Sequence, residues 1–187
     1  RLKQESLQRY AILHFATHAL VDDTEPRRSA VLLSPGDSDQ DGLLQPREIA
    51  ALSLNGRVVI LSACRGGAGV VIEGEGPLSL ARSFFAGGAR TVIAGLQPLR
   101  DDRTARLTTT LGERLANGSS IGAALAAAKR EAIASGVPAA GWSTLVLMGD
   151  DSVVPMAGIP PRVSRTPLWM GAALLFGALA AFGLRFG

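Results

Sequence analysis

Residues 57–64 read RVVILSAC, a run of four branched aliphatic side chains between Arg57 and Ser62. A strand with one face in water alternates apolar and polar residues, so this run predicts a strand that is covered on both faces. A second run of the same kind, TVIAGL, occupies residues 91–96. Nearly continuous apolar strands are typical of a mostly parallel sheet with helices on either side. We therefore predict an α/β fold.

Further strands and helices are predicted around these two runs. Apolar stretches bounded by turn residues predict three more strands, at residues 10–17, 29–33 and 144–148. Proline at the first turn and glycine or asparagine at the end predict helices at residues 46–52 and 77–86. Asp102 is the predicted cap of a helix that carries Leu107, Leu111 and Leu115 and is stopped by Asn117-Gly118. A last helix begins at Ser119 or Ser120 and ends at Gly136.

The composition is that of a folded domain with a short appendage. Of the 187 residues, 47% are hydrophobic and 19% charged, which excludes a disordered chain, and the single cysteine excludes a disulfide scaffold. Lys and Arg number 19 against 16 acidic residues, and Arg162, Arg165 and Arg185 account for the surplus. Because the rest of the chain is balanced, direct contact with nucleic acid is not expected.

The C-terminal region predicts a membrane anchor. Residues 168–184 contain no charged side chain, and as a helix they span roughly 25 Å against a hydrocarbon core of about 30 Å. Trp169 and the flanking arginines are typical of a membrane interface and favour a cytoplasmic domain. We predict a folded domain at residues 1–152, a Pro-rich linker at 153–167 and a transmembrane helix at 168–184. The alternative is a Gly/Ala-rich helix packed on the domain.

Two side chains that could take part in catalysis follow predicted strands. His18 comes at the end of the first strand and Cys64 at the end of the third. In parallel α/β sheets the crevice beyond the carboxyl ends of the strands binds ligands, and a neighbouring imidazole is what activates a thiol at neutral pH. Gly66 and Gly67 allow a substrate carbonyl to approach closely, and the amides of Cys64 and Ala19 are candidate oxyanion donors.

These residues also allow other interpretations. A lone cysteine is often a small buried hydrophobe, which is the alternative for Cys64. His14 lies four residues before His18, which on one strand puts both on the same face about 13 Å apart, too far for a shared metal ion. Two histidines and one cysteine assemble no zinc set, and no metal or cofactor is expected. The acidic loop at 37–41 lacks the glutamate of an EF-hand.

The motifs resemble a known family. Residues 62–66, SACRG, differ in one position from the caspase signature, and His18 lies 46 positions before Cys64. The wider pattern is more specific and consists of HFATH at 14–18, DGLL at 41–44, VILSAC at 59–64, EGEG at 73–76, LARSF at 80–84, GGARTVIA at 87–94, and Trp142 before a closing strand. It is similar to the CHAT domain, a caspase-like family related to separases, over about residues 10–149.

This resemblance implies a caspase-like three-layer sandwich and a cysteine endopeptidase with His18 as base and Cys64 as nucleophile. It also implies a protein substrate and an upstream repeat or sensor domain in the same chain. Members of the family usually carry Leu-Trp-x-Val after the fourth strand, in a loop that helps to form the substrate pocket. This chain has LQPL there, at residues 96–99. Asp101 and Asp102 follow this loop as candidates for binding a basic side chain, with helix capping as the alternative role of Asp102.

The sequence leaves two other functions open. A catalytically silent caspase-like interaction or signalling scaffold at the membrane needs the same fold without the chemistry. A nucleotide-binding domain is the second, but residues 66–76 lack the Gly-Lys-Ser/Thr sequence of a phosphate cradle.

Overall fold

The computed structural model of the chain describes residues 2, 5–22, 24–36, 41–62, 69–72, 76–96 and 101–158. Four strands form its central sheet, in the spatial order β1, β5, β8 and β9. Their bounds are Ile12–Phe15, Val58–Leu61, Thr91–Gly95 and Leu145–Gly149. β1, β5 and β8 are parallel, whereas β9 pairs antiparallel with β8. The predicted mostly parallel sheet is therefore confirmed.

Helices cover both faces of this sheet, as the apolar runs predict. All four residues of β5 and all five of β8 are buried. Val59 and Leu61 belong to one apolar core, together with residues of helices α1 (Pro46–Ala50) and α2 (Leu80–Ala86). Val58 and Ile60 belong to a second core with helices α3 (Asp101–Ala116) and α4 (Ile121–Ala134). The domain therefore has the three layers expected of the sandwich.

Local signals set the helix ends. Ser120 caps α4, since the backbone N–H of Ala123 donates to its Oγ at 3.3 Å. Gly118 follows α3 with φ +82° and Gly136 follows α4 with φ +74°, conformations that glycine adopts without strain. α3 begins at Asp101, so Asp102 lies inside the first turn and the predicted cap position is wrong by one residue or more. A four-residue helix, α5 (Ala139–Trp142), precedes β9.

The sequence did not predict a second, smaller sheet. It consists of β2 (Ala19–Leu20), β3 (Ala30–Leu32) and β4 (Leu43–Leu44), all antiparallel. β3 is the strand predicted at residues 29–33, but it joins this sheet instead of the central one. Strands of two residues carry too little periodicity to be recognised in a sequence.

The glycine-rich region also differs from the prediction. Gly69–Ile72 and Gly76–Ser79 form an antiparallel hairpin, β6 and β7, and α2 starts only at Leu80. The helix predicted to begin at Pro77 was therefore wrong at its start, because residues 76–79 pair as a strand. Proline fits a helix start and a short peripheral strand equally well.

Arg90 and Asp150 link β8 and β9 at one end of their antiparallel pair, where β8 begins and β9 ends. The Arg90 Nε donates to Asp150 Oδ2 at 2.8 Å, and Thr91 Oγ1 donates to the Asp150 carbonyl at 2.6 Å. The other carboxylate oxygen accepts from the side chain and backbone of Ser152, at 2.6 and 2.9 Å. The Ser152 hydrogen bonds, followed by the contact with Arg90, lower the pKa of Asp150 from 3.8 to about 2.

This shift predicts a pH-dependent contribution to stability. Because the folded pKa lies below the unfolded one, the stabilisation is complete above pH 3.8 and is lost as the pH falls towards 2. Asp150→Asn is expected to lower the urea midpoint at pH 7, and the difference from the unsubstituted chain should shrink only in that acid window. Ser152→Ala, which keeps the carboxylate, should raise the lower limit of this window towards 3.8, because the folded pKa then lies closer to the unfolded one. A difference that stays constant from neutral pH to pH 3.8 and below would contradict the assignment.

Candidate active site

The carboxyl ends of β1 and β5 lie side by side at one edge of the central sheet. Phe15, the last residue of β1, is paired in parallel register with Leu61, the last residue of β5. The pairing continues for one more residue, since the Ser62 N–H donates to the Phe15 carbonyl at 3.0 Å. The two chain segments that carry the predicted dyad therefore leave the sheet from adjacent positions.

His18 lies in the short connection between β1 and β2. The Thr17 Oγ1 donates to the Leu32 carbonyl at 2.6 Å, and the Leu32 N–H donates to the His18 carbonyl at 2.9 Å. These two bonds attach the Thr17 side chain and the His18 carbonyl to β3. The side chain itself is exposed. The connection thus presents an accessible imidazole on an anchored backbone, and sequence reasoning missed the anchoring role of Thr17.

His14 does not share a strand face with His18. β1 ends at Phe15, so residues 16–18 have left the strand and the expected same-face spacing of about 13 Å has no basis. His14 instead makes a hydrogen bond between its Nε2 and the Oγ of Ser62, at 2.8 Å. Partial desolvation of the ring lowers the pKa of His14 below its ordinary value. This contact gives the His14 ring a partner at the end of the neighbouring strand β5.

The Ala19 amide faces away from β3. The bond from Leu32 to His18 makes these two residues a hydrogen-bonded pair of the antiparallel ladder. The next pair, Ala19 with Val31, is then of the non-hydrogen-bonded type, in which the N–H is directed outwards. β2 is also the edge strand of its sheet. The geometry leaves this N–H free of the ladder, as an oxyanion donor requires.

The remaining predicted site residues are described in part or not at all. Cys64, with Gly66 and Gly67, lies outside the described residues, as do residues 97–99 of the predicted pocket loop. Asp101 and Asp102 form the start of α3, which follows β8, the neighbour of β5 in the sheet. Their side chains lie outside what the structure describes. The topology therefore brings α3 to the sheet edge at which β1 and β5 end.

Of the acidic loop at residues 37–41, the structure describes Asp41. Asp41 Oδ1 accepts from the Leu43 N–H at 2.9 Å, a local turn, while Asp37 and Asp39 lie outside the described residues. Across the described ranges, no three His, Cys, Asp or Glu side chains are grouped as metal ligands.

None of the helices within the described ranges is long and apolar enough to cross a bilayer. Residues 168–184, the predicted transmembrane helix, fall outside these ranges.

The chain matches the sequence profile of a known protein family. The sequence profile of the CHAT domain matches residues 1–150, which is most of the chain and contains both predicted dyad residues. A comparison with curated protein sequences gave no match. The profile match and the three-layer fold agree, and the chain belongs to the CHAT domain family, whose fold is that of the caspase-like peptidases.

Proposed function

We propose that this domain is a cysteine endopeptidase in which His18 is the general base and Cys64 the nucleophile. The observation that supports the proposal most directly is the parallel register of Phe15 with Leu61. His18 lies three residues after Phe15, and Cys64 lies three residues after Leu61. Equal offsets from adjacent strand ends favour a meeting of the two side chains beyond the sheet edge.

The chemistry that follows is acyl transfer through the thiol. His18 accepts the proton of Cys64, and the thiolate attacks the peptide carbonyl, forming a C–S bond. When the tetrahedral intermediate collapses, the C–N bond breaks and the imidazolium of His18 donates its proton to the leaving amine. Water, deprotonated by His18, then attacks the thioester carbon; the C–S bond breaks, and the imidazolium returns its proton to the Cys64 thiolate. The products are a new carboxyl terminus and a new amino terminus.

The oxyanion of the intermediate would be held by backbone amides. The Ala19 N–H, directed outwards from β2, supports this role because it comes one residue after the base. The Cys64 N–H is proposed as the second donor, since the amide of the nucleophile is always close to the carbon that it attacks. Two donors stabilise the charge as it develops and not in the ground state.

Asp101 and Asp102 are proposed to recognise the residue before the scissile bond. α3 begins with them and follows the central strand β8, and carboxylates at this place favour a basic side chain. The test is labelling of Cys64 with peptidyl acyloxymethyl ketones that end in arginine or in aspartate, followed by mass spectrometry. We expect the arginine reagent to react about tenfold faster or more, as for one charge-assisted hydrogen bond.

The matched variants are Asp101→Asn and Asp102→Asn, tested one at a time. Each keeps the shape of the side chain, and at least one should remove the preference for the arginine reagent while leaving the reaction of the aspartate reagent intact. An unchanged preference in both variants would exclude these carboxylates as the specificity pocket without excluding a peptidase. No labelling by any peptidyl reagent would instead favour a silent interaction scaffold.

We also propose that residues 168–184 anchor the domain to a membrane, with the domain in the cytoplasm and a sensor domain upstream in the same chain. The support is the uncharged length of the segment and its flanking arginines. In vesicle flotation, the full chain should float with lipid and a chain ending at Gly158 should not. Equal sedimentation of both would overturn the anchor.

A further inference from the structure

A hydrogen-bonded pair outside the proposed dyad lies where β1 and β5 end. The His14 Nε2 is 2.8 Å from the Ser62 Oγ, although the two residues are 48 positions apart in the chain. His14 belongs to β1 and pairs with Ile60 of β5, and Ser62 is the first residue after β5. The contact therefore joins a paired residue of β1 to the first residue beyond the paired part of β5.

Ser62 is attached to β1 by two separate bonds. Its N–H donates to the Phe15 carbonyl at 3.0 Å, and its side chain contacts the His14 ring. The backbone bond continues the sheet, but the side-chain bond adds a constraint that a strand residue does not ordinarily have. Together they restrain the position of the Ser62 Cα and the orientation of the Ser62 side chain.

Chain connectivity gives this attachment its importance. Cys64 follows Ser62 by two residues in the sequence, so the direction in which the chain leaves Ser62 limits where the thiol is found. Misplacement of a reacting group by about 1 Å is enough to cost up to about 10²-fold in rate. A residue that sets the exit direction of the chain thus acts on the chemistry without contacting the substrate.

We infer that His14 and Ser62 form a positioning pair that aligns the segment carrying Cys64 for attack on a bound peptide. The inference rests on the proposed peptidase function, whose nucleophile it would place. It assigns a role to both histidines of the chain: His18 transfers protons, and His14 holds the exit from β5. The lowered pKa of His14 is compatible with this role, because a neutral ring offers an acceptor nitrogen to the Ser62 hydroxyl.

The single cysteine makes the test direct, since every alkylation event on the chain reports Cys64. The variants are Ser62→Ala and His14→Gln, with Ser62→Thr as the conservative replacement and Ser53→Ala, at an exposed position, as the control. Two second-order rate constants are measured for each variant. One is for a peptidyl acyloxymethyl ketone, which requires alignment, and the other is for iodoacetamide, which requires only an accessible thiolate.

We expect Ser62→Ala and His14→Gln each to lower the peptidyl rate by about tenfold, the loss expected for one hydrogen bond. Measured at about pH 10, where the thiol is ionised whether or not His18 is close, the iodoacetamide rate should change by less than about twofold, because small electrophiles do not depend on alignment. Ser62→Thr should retain the peptidyl rate, and the double variant should be no slower than the slower single variant. An unchanged peptidyl rate in both single variants would overturn the inference, as would an equal fall in both rates.

Two more measurements separate this inference from the proposed function. If the unsubstituted chain does not react with peptidyl reagents, the peptidase proposal fails, and amide hydrogen exchange decides the positioning role. Exchange just after Ser62 should then be faster in Ser62→Ala and His14→Gln and unchanged in Ser62→Thr; equal exchange in all would overturn it. Labelling of Ser62 by a fluorophosphonate in Cys64→Ala would show a nucleophile in place of a positioning residue, and would also overturn it.

Discussion

Replacing Cys64 with alanine is expected to abolish peptide cleavage and covalent labelling by peptidyl electrophiles. The substitution removes the only thiol of the chain, and so the only atom that can form the thioester in the proposed mechanism. Loss of a catalytic nucleophile lowers turnover by at least about 10³-fold. The measurement is cleavage of a quenched fluorescent peptide library, with intact-mass analysis of labelled protein.

The controls separate lost chemistry from lost folding. Cys64→Ser keeps the side-chain volume and should be nearly as inactive, because a hydroxyl is a far weaker nucleophile than a thiolate. Arg47→Gln, on the exposed side of α1, should leave activity unchanged. Cleavage that persists in Cys64→Ala would end the peptidase assignment of this residue. The family fold would remain, together with the interpretation of the domain as a silent scaffold.

Replacing His18 with alanine is expected to cause the second largest loss, about 10²- to 10⁴-fold in the rate of acylation. The imidazole is exposed and its backbone is held to β3 through Thr17 and Leu32, so removing it should disturb chemistry more than folding. The pH profile of iodoacetamide alkylation is the decisive readout. In the variant, reactivity should follow an ordinary free thiol with a midpoint of about 8.5.

Exogenous imidazole gives this prediction an internal control. A small base that diffuses into the vacated space should restore part of the acylation rate in His18→Ala and none in Cys64→Ala. The His18→Ala substitution should change the free energy of unfolding, measured in urea, by no more than about 0.5 kcal/mol, as for other exposed positions. Identical alkylation profiles with and without His18 would contradict its role as the base.

The central sheet could be predicted from the sequence because its strands carry a strong pattern. Val58, Val59 and Ile60 have no polar neighbour among them, and such a run has few places in a fold other than the middle of a covered sheet. The ends of α3 and α4 could also be predicted, because each is followed by a glycine, Gly118 or Gly136, in a backbone conformation that other residues adopt only with strain. Local chemistry determined these features.

The features that the sequence did not reveal depend on long-range pairing. β2 and β4 have two residues each and exist only because both pair with β3. The expected continuation of β1 through Thr17 failed for a related reason, since the Thr17 hydroxyl bonds to Leu32 where the chain leaves the sheet. The contact of His14 with Ser62 joins residues 48 positions apart, and no local pattern announces it. The candidate pair of His18 and Cys64 was accessible through their common position after strand ends.

The sharing of β5 between two apolar cores has a consequence for folding cooperativity. Its residues alternate between a core built on α1 and α2 and a core built on α3 and α4. Detaching either helical layer would expose one whole face of this strand to water, so neither layer can melt without weakening the other. The domain should therefore unfold in a single transition, and loss of activity on heating should coincide with loss of helical signal.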